Sequence, residues 1–423
     1  MLTRLDLRGA TDLDALLRAP STSADVTAAA RAIVEDVRER GDDAVREHTA
    51  RYDGWTVGDL RVDRDALVRS LDGAEPEFRR ALEHAADRIR WYHEAQLGAP
   101  PRVDRDGVSL EEIVRPVDRA GCYVPGGRAA YPSTVLMTTI PARVAGVPEI
   151  ALCVPAGADG HVATPTLAAA ALVGVDEVYR VGGAQAIGAL AYGTASIPSV
   201  DVIVGPGNAY VAAAKREVAG VVGIDALAGP SEIVVVADGS APAEFVAADL
   251  VAQLEHGPGG TAVLITWEPD VAEAVLARLA EETEDATSSV GVVAVVEDAQ
   301  QALAVVNAIA PEHVELVTAD AEALVPLVRN AGAVFVGAWA PAALGDYVAG
   351  VNHVLPTART ARFASALRVD TFCKHIHVVR ASERGLVALS DDVETLAAAE
   401  GLPAHGRSVA LRRAAALAEG RTC

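Results

Sequence analysis

Short runs of β-branched and aliphatic residues return roughly every 20 to 30 residues, each followed by an Ala-rich stretch, and this alternation restricts the fold more than any other feature. The runs are Ile150 to Val154, Glu177 to Val181, Val200 to Val204, Ile233 to Ala237, Ala262 to Thr266, Val292 to Val296, Val314 to Val317 and Ala333 to Val336. A short apolar run bounded by turn residues reads as a buried strand. Strands separated by helical stretches are joined as βαβ crossovers in parallel sheets covered by helices. The runs fall into two sets, before and after Ser231, so the expectation is an α/β fold of two similar Rossmann-like lobes with parallel-rich sheets. A single eight-stranded barrel is the other arrangement open to so many strands. At 423 residues the chain is longer than one hydrophobic core usually organises, which also favours two lobes.

The ends differ from the middle. From Ala24 to about Gln96 apolar positions recur at three and four residues, as in Val26 to Glu39 and Pro76 to Tyr92, which predicts a helical lead-in. The final segment, Val393 to Glu419, returns to helix with no strand expected beside it, so it reads as an arm that docks elsewhere, for example on a second subunit.

Several function classes are excluded. No stretch of about 18 apolar residues lacks charges, so no membrane-spanning helix is expected. Met1 to Arg8 carries charges and no apolar export core, which predicts a cytoplasmic protein. Cys122, Cys153, Cys373 and Cys423 are too far apart for a CxxC or zinc-finger pattern and are expected to be ordinary thiols. A net charge of -22 opposes binding to a phosphate backbone, so nucleic acid is not an expected partner. Lys215 and Lys374 are the only lysines among many arginines, which reads as compositional bias.

Glycine clusters follow several expected strands: Gly121 to Gly127, Gly182-Gly183 before Gln185, and Gly205-Pro-Gly207-Asn208. Bare backbone of this kind lets an anionic ligand approach a helix N-terminus. None completes G-x-G-x-x-G, and each alone is equally consistent with a tight turn. Glu244 to His256 reads as a helix opened by Pro242 and stopped by Gly257, with Gln253 and His256 three apart on one face. The pair suits metal ligation, and equally an ordinary polar helix end. Glu312 and His313 stand at the mouth of an expected strand and are both able to move protons, though an exposed charged turn would look the same. Asp346, His353, Glu400 and His405 complete the notable polar residues. With Gln253 and His256, Asp346 and His405 would give a nitrogen and oxygen ligand set suited to Zn, Mn or Co. The histidines at 48, 84, 93, 161, 375 and 377 have no such neighbours and read as structural.

Taken together these segments resemble the histidinol dehydrogenase family. The most specific stretch is Ile224-Asp-Ala-Leu-Ala-Gly-Pro-Ser-Glu232. It is supported in one order by Tyr123-Val-Pro-Gly-Gly127, Gly183-Ala-Gln185, Gly205-Pro-Gly-Asn208, Ala310-Pro-Glu-His313, Gly345-Asp-Tyr347, Asn352-His-Val-Leu-Pro-Thr357 and Glu400-Gly-Leu402. The resemblance implies an NAD-dependent, four-electron oxidation of L-histidinol to L-histidine through the aldehyde. Gln253, His256, Asp346 and His405 would bind one zinc per subunit, with substrate nitrogens completing its shell. His313 would act as the base on the alcohol and Glu312 would activate water on the aldehyde. Ser231, His353 and Glu400 would contact substrate, and Tyr123, Gln185 and Asn208 would contact NAD.

The same resemblance implies an intertwined homodimer whose C-terminal arm completes the partner's site. It divides the chain into an N-terminal segment (1–19), a catalytic, metal-bearing lobe (20–121 with 232–367), an NAD-contacting lobe (122–231) and the helical arm (368–423). Ala358-Arg-Thr360 departs from the family pattern, which leaves open a zinc-dependent dehydrogenase of another small polar alcohol, such as a sulfonated diol. A non-catalytic two-lobed binding protein is the alternative from a different class.

Overall fold

All the apolar runs named above form strands within two residues of their expected ends in a computed structural model of the chain, which describes residues 2–9, 23–56, 58–126, 129–227, 229–255, 259–282 and 290–419. The lead-in supplies β1 (Leu2–Asp6), α1 (Ala24–Arg40), α2 (Asp42–Tyr52), α3 (Arg64–Asp72) and α4 (Pro76–Glu94), followed by β2 (Arg102–Arg105) and β3 (Val108–Pro116). Next come β4 (Arg119–Tyr123), α5 (Pro132–Ala145), β5 (Glu149–Cys153), α6 (Thr164–Leu172), β6 (Glu177–Tyr179), α7 (Gly183–Tyr192), β7 (Val202–Val204), α8 (Ala209–Val218) and β8 (Gly223–Ile224). The second strand set is β9 (Glu232–Ala237), α9 (Ala243–Leu254), β10 (Thr261–Thr266), α10 (Pro269–Glu282), β11 (Val290–Val295), α11 (Ala299–Ile309), β12 (His313–Val317), α12 (Ala321–Leu324), β13 (Ala333–Val336) and α13 (Ala342–Tyr347). The chain closes with β14 (Cys373–Ala381), α14 (Glu383–Ala399) and α15 (Pro403–Glu419).

The chain separates into two units, 1–96 with 117–372 and 97–116 with 373–423. In the first, two open sheets replace the barrel alternative. One has six strands in the order β1-β11-β10-β9-β12-β13, the other five in the order β6-β5-β4-β7-β8, and neighbouring strands in both are parallel. The two are wound alike. From β9 the chain steps outward through β10 to β11, returns to place β12 beside β9, and continues the other way. From β4 it does the same through β5 and β6 before placing β7 beside β4. Each sheet therefore has a switch point where strand order reverses, the place where such sheets open a crevice.

Strand alternation sends successive side chains to opposite faces, and both faces of both sheets are covered. Ile233 and Val235 pack with Val246 and Leu250 of α9 and Val275 of α10, whereas Val234 and Val236 pack with Leu303 and Val306 of α11. On the five-stranded sheet, Ala120 and Cys122 meet Leu136 and Ile140 of α5 together with Leu67 and Ile89 from the lead-in. Tyr123, Ala151 and Cys153 meet Ile187 of α7 and Ile33, Val34 and Val37 of α1. The lead-in helices thus cover this sheet. Ser23 starts α1 by accepting the Val26 N–H, and Gly146 in left-handed conformation stops α5.

The second unit departs from the expected helical tail. Its β14, β3 and β2 form an antiparallel sheet, and the tail itself is two packed helices broken around Gly401 (φ +70°) and Pro403. Most of β14 is exposed, so it carries no buried period, and its partner β3 lies far away in sequence. Among the described residues no helix is long and apolar enough to cross a membrane. Cys122 and Cys153 are buried thiols, Cys373 is half-buried, and Cys423 lies outside the described residues.

Candidate active site

Two clusters of the expected residues form in the first unit, one at each sheet. The first lies along the edge of the six-stranded sheet where its strands begin. Glu312 and His313 open β12, and Ser231 and Glu232 open its neighbour β9, so the switch point brings the four side by side. Glu312 is 6% exposed and His313 3%. A carboxylate at that depth must be held by donors, and Glu312 Oε2 accepts the Glu232 N–H at 3.0 Å, with the Ser231 hydroxyl as a further donor. Burial nevertheless dominates and pushes the Glu312 carboxyl up to about 7.

His313 Nδ1 lies 3.2 Å from the Glu232 carbonyl, which can only accept, so Nδ1 carries the proton and Nε2 is the basic nitrogen of the neutral ring. Nε2 faces Asp346 Oδ1 at 3.5 Å, and Glu312 Oε2 lies 3.7 Å from Nδ1. Burial disfavours the imidazolium, but the Glu312 and Asp346 carboxylates outweigh it and raise His313 to about 9. Two groups able to move protons thus stand 3.7 Å apart, Glu312 partly ionised near neutrality and His313 becoming a free base as pH rises toward about 9.

Asp346 arrives on α13, whose first N–H, from Ala342, is accepted at 2.7 Å by Glu315 of β12. The backbone carbonyl of Asp346 accepts from His353 Nδ1 at 2.9 Å, and His353 Nε2 accepts the Thr134 hydroxyl of α5 at 3.2 Å. His353 thus ties the Asp346 turn to the helix that follows β4. Gln253 sits in the last turn of α9, 5% exposed, with its amide nitrogen buried and unpartnered. Such an orphan is costly unless something binds the amide, and its oxygen and Asp346 are donors of the type a borderline divalent cation takes. His256 lies outside the described residues. His405 and Glu400 belong to the second unit, where Glu400 ends α14, His405 lies in the first turn of α15, and both are exposed. Among the described residues no cluster of three or more His, Cys, Asp or Glu is placed to hold a metal, and of the expected ligand set Gln253 and Asp346 are the members that belong to the described part of the first unit.

The second cluster lies where the strands of the five-stranded sheet end. Tyr123 closes β4, and its buried hydroxyl accepts the Gly183 N–H at 3.1 Å. Gln185, in the first turn of α7, is 2% exposed and its amide nitrogen has no partner, a second buried orphan. Asn208 caps α8 by accepting the Tyr210 and Val211 N–H groups. Tyr123 and the Gly205–Asn208 turn flank the β4/β7 switch point, so turn backbone and a helix N-terminus meet at the crevice, an arrangement able to receive an anionic group.

Gly205 has φ +115°, and a Cβ there would lie 2.0 Å from the Tyr123 carbonyl oxygen. Gly205→Ala is accordingly expected to destabilise the protein by about 2 to 4 kcal/mol through left-handed strain plus forced overpacking. Chemical denaturation of the purified variant measures this; an unchanged midpoint would show that the close approach does not matter.

Some participants were not anticipated. Glu232 spans the site: its Oε1 accepts the Ala358 N–H at 3.2 Å, and burial followed by the Glu312 charge pushes its carboxyl up to about 7. Thr357 takes the Gly229 N–H, Thr134 holds His353, and Glu315 lies against Asp249 of α9. Burial and then the Asp249 charge push Glu315 up to about 8. Of these, Glu232, as the last residue of the Gly-Pro-Ser-Glu stretch, and Thr357, as the last of Asn352-His-Val-Leu-Pro-Thr, stood within motifs visible in the sequence.

A sequence model of the histidinol dehydrogenase family matches residues 16–413. The chain is 50% identical to a histidinol dehydrogenase of Rhodospirillum rubrum, covering 94% of this chain and 95% of that one. It is 49% identical to that of Bradyrhizobium diazoefficiens, covering 97% and 99%. The fold superposes on the crystal structure of histidinol dehydrogenase from Elizabethkingia anophelis with a TM-score of 0.92, at 33% identity and 97% coverage of each chain.

Proposed function

The chain belongs to the histidinol dehydrogenase family and has that family's oxidoreductase function; from this we propose that it oxidises L-histidinol to L-histidine with NAD, in two hydride transfers through the aldehyde, around one zinc ion per subunit. The support is the buried Glu312–His313 pair at the mouth of β12, with Asp346 3.5 Å from the imidazole. When bound, NAD would supply an acceptor for hydride from the substrate carbon, and zinc would supply a means of holding and orienting the substrate.

The protein's own residues supply the rest. His313, with Nδ1 held by the Glu232 carbonyl, presents Nε2 in its neutral form to take the alcohol proton as hydride leaves, a form that gains population as pH rises toward about 9. Glu312 takes a proton from water as the water oxygen adds to the aldehyde carbon, giving the monoanion of the hydrate, which loses the second hydride and then one proton to become the carboxylate. No thiol is required, consistent with Cys122 and Cys153 lying in the core. Ser231 orients Glu312, and His353 fixes the Asp346 turn against α5. Gln253 and Asp346 would hold the metal together with His256 and with His405, and Tyr123, Gln185 and Asn208 would seat NAD.

We further propose that the molecule is a cytoplasmic homodimer in which Glu400 and His405 of the arm complete the neighbouring subunit's site. Both are exposed, and Leu389, Leu396, Leu402 and Leu411 leave α14 and α15 with apolar surface for a partner to cover.

The deciding experiment is stoichiometry. Purified protein supplied with zinc is expected to yield two NADH per L-histidinol consumed, with histidine as product, and negligible NADH from sulfonated diols. One NADH with free aldehyde accumulating would overturn the two-step scheme, and turnover of the diol alone would overturn the substrate.

A further inference from the structure

Behind the proposed cofactor turn lies an ion pair that the mechanism does not use. Lys215 of α8 is 1% exposed, and its ammonium reaches Asp225 Oδ1 at 2.6 Å and the Gly205 carbonyl at 2.5 Å. The other oxygen of Asp225 accepts the Gly205 N–H at 2.7 Å. Both backbone groups of one glycine are therefore gripped by a single buried pair. The grip joins the helix after β7 to the segment after β8 and holds the residue that follows β7.

Fold stability alone does not account for this choice. Well-packed apolar residues of similar volume stabilise a core as well as a buried ion pair does, because both charges must be stripped of water. What an ion pair adds is directional hold, and Gly205 needs it. Its peptide crosses the Tyr123 backbone with no room for a Cβ, in a conformation open chiefly to glycine, and an unrestrained glycine is the most mobile residue a turn can contain. Gly207, two residues on, is equally confined: a Cβ there would lie 2.4 Å from Val211. The compact ammonium also suits the position. It can face a carbonyl and a carboxylate in a sealed space, where a planar guanidinium would demand a wider one. In a chain that otherwise uses arginine, one of its two lysines stands here.

We infer that Lys215 and Asp225 are positioning residues that fix the Gly205–Asn208 turn, and with it the start of α8, in the shape that receives the diphosphate of the dinucleotide. This rests on the NAD site proposed above. The pair touches neither cofactor nor substrate. It acts through the turn, so its loss shifts backbone donors by fractions of an ångström and weakens cofactor binding while leaving the Glu312–His313 cluster, on the other sheet, in place.

The test is a kinetic split on the zinc-loaded enzyme. Lys215→Met is expected to raise KM for NAD roughly tenfold or more, since small misplacement at a binding turn carries large penalties, with KM for histidinol and zinc content unchanged. Because Met beside an unpaired Asp225 leaves a lone buried charge, Lys215→Met/Asp225→Asn is made alongside. It removes that charge and is expected to melt near the wild-type temperature, yet to keep the raised KM for NAD. A double variant with wild-type melting and wild-type KM for NAD overturns the inference, as does a single variant in which the two KM values rise together. Gln185→Ala separates the two ways of failing. If it too leaves KM for NAD unchanged, the proposed cofactor site is wrong; if it raises KM and the lysine variants do not, only the clamp is wrong.

Discussion

Glu312→Gln protein is expected to release about one NADH per active site and then stall, its steady-state conversion of histidinol to histidine falling by roughly 10²- to 10⁴-fold, the span usual for loss of a general acid–base group. Glutamine is isosteric and keeps an oxygen for the Glu232 N–H that Glu312 Oε2 accepts, so the local packing survives. What it cannot do is take a proton from water. Burial pushes the Glu312 carboxyl to about 7, which leaves a substantial ionised fraction available near neutral pH. His313→Asn is expected to fall by a similar factor, but at the first hydride transfer, with no burst. Mixing enzyme, substrate and NAD in a stopped-flow absorbance experiment reads both outcomes. Two NADH per site at the wild-type rate from the Glu312→Gln protein would remove that residue from the mechanism.

Dialysis against a strong chelator is expected to abolish turnover, with zinc, cobalt or manganese restoring it. Gln253 contributes a neutral amide oxygen and Asp346 a carboxylate, so the proposed set contains a single anionic ligand and no thiolate, which predicts weaker retention than a structural zinc site shows. NAD binding, followed by quenching of protein fluorescence, should survive the treatment because Tyr123, Gln185 and Asn208 stand on the other sheet. Full turnover in metal-free protein, verified by elemental analysis, would refute the metal requirement.

Eight strands of the two sheets were legible because a parallel strand buried on two faces must be apolar throughout, as Ile233–Val236 and Val202–Val204 are; β1, β4 and β8 were not among the expected runs. Glu312 and His313 stood out for the complementary reason, as charged residues abutting such a run. The partners that give these residues their chemistry did not stand out. Glu232 meets Glu312 across 80 positions, Thr134 meets His353 across 219, and no local period encodes those distances. Lys215 read as compositional bias and Asp225 as one residue of the Ile224–Glu232 stretch, and only the turn after β7 pairs them. An amphipathic stripe such as Ile33, Val34 and Val37 announces that a helix has a face to bury, not which sheet it covers. Strand β14 was missed because Lys374, His375 and His377 on it face water, and only pairing with β3 makes it a strand.

The two sheets are read from opposite ends. On the five-stranded sheet the residues proposed to meet NAD follow their strands, whereas on the six-stranded sheet Ser231, Glu232, Glu312 and His313 precede or open theirs. The far rim of that second sheet, where Asp238 accepts the Ala319 N–H at 3.0 Å and where Gly239, Ser240 and Asp320 are exposed, bears none of the residues given a role above. Lineages remodelling this scaffold, or engineers grafting a reporter or tether onto it, thus have a margin well away from the reacting groups, on the side where most enzymes of similar winding keep their chemistry.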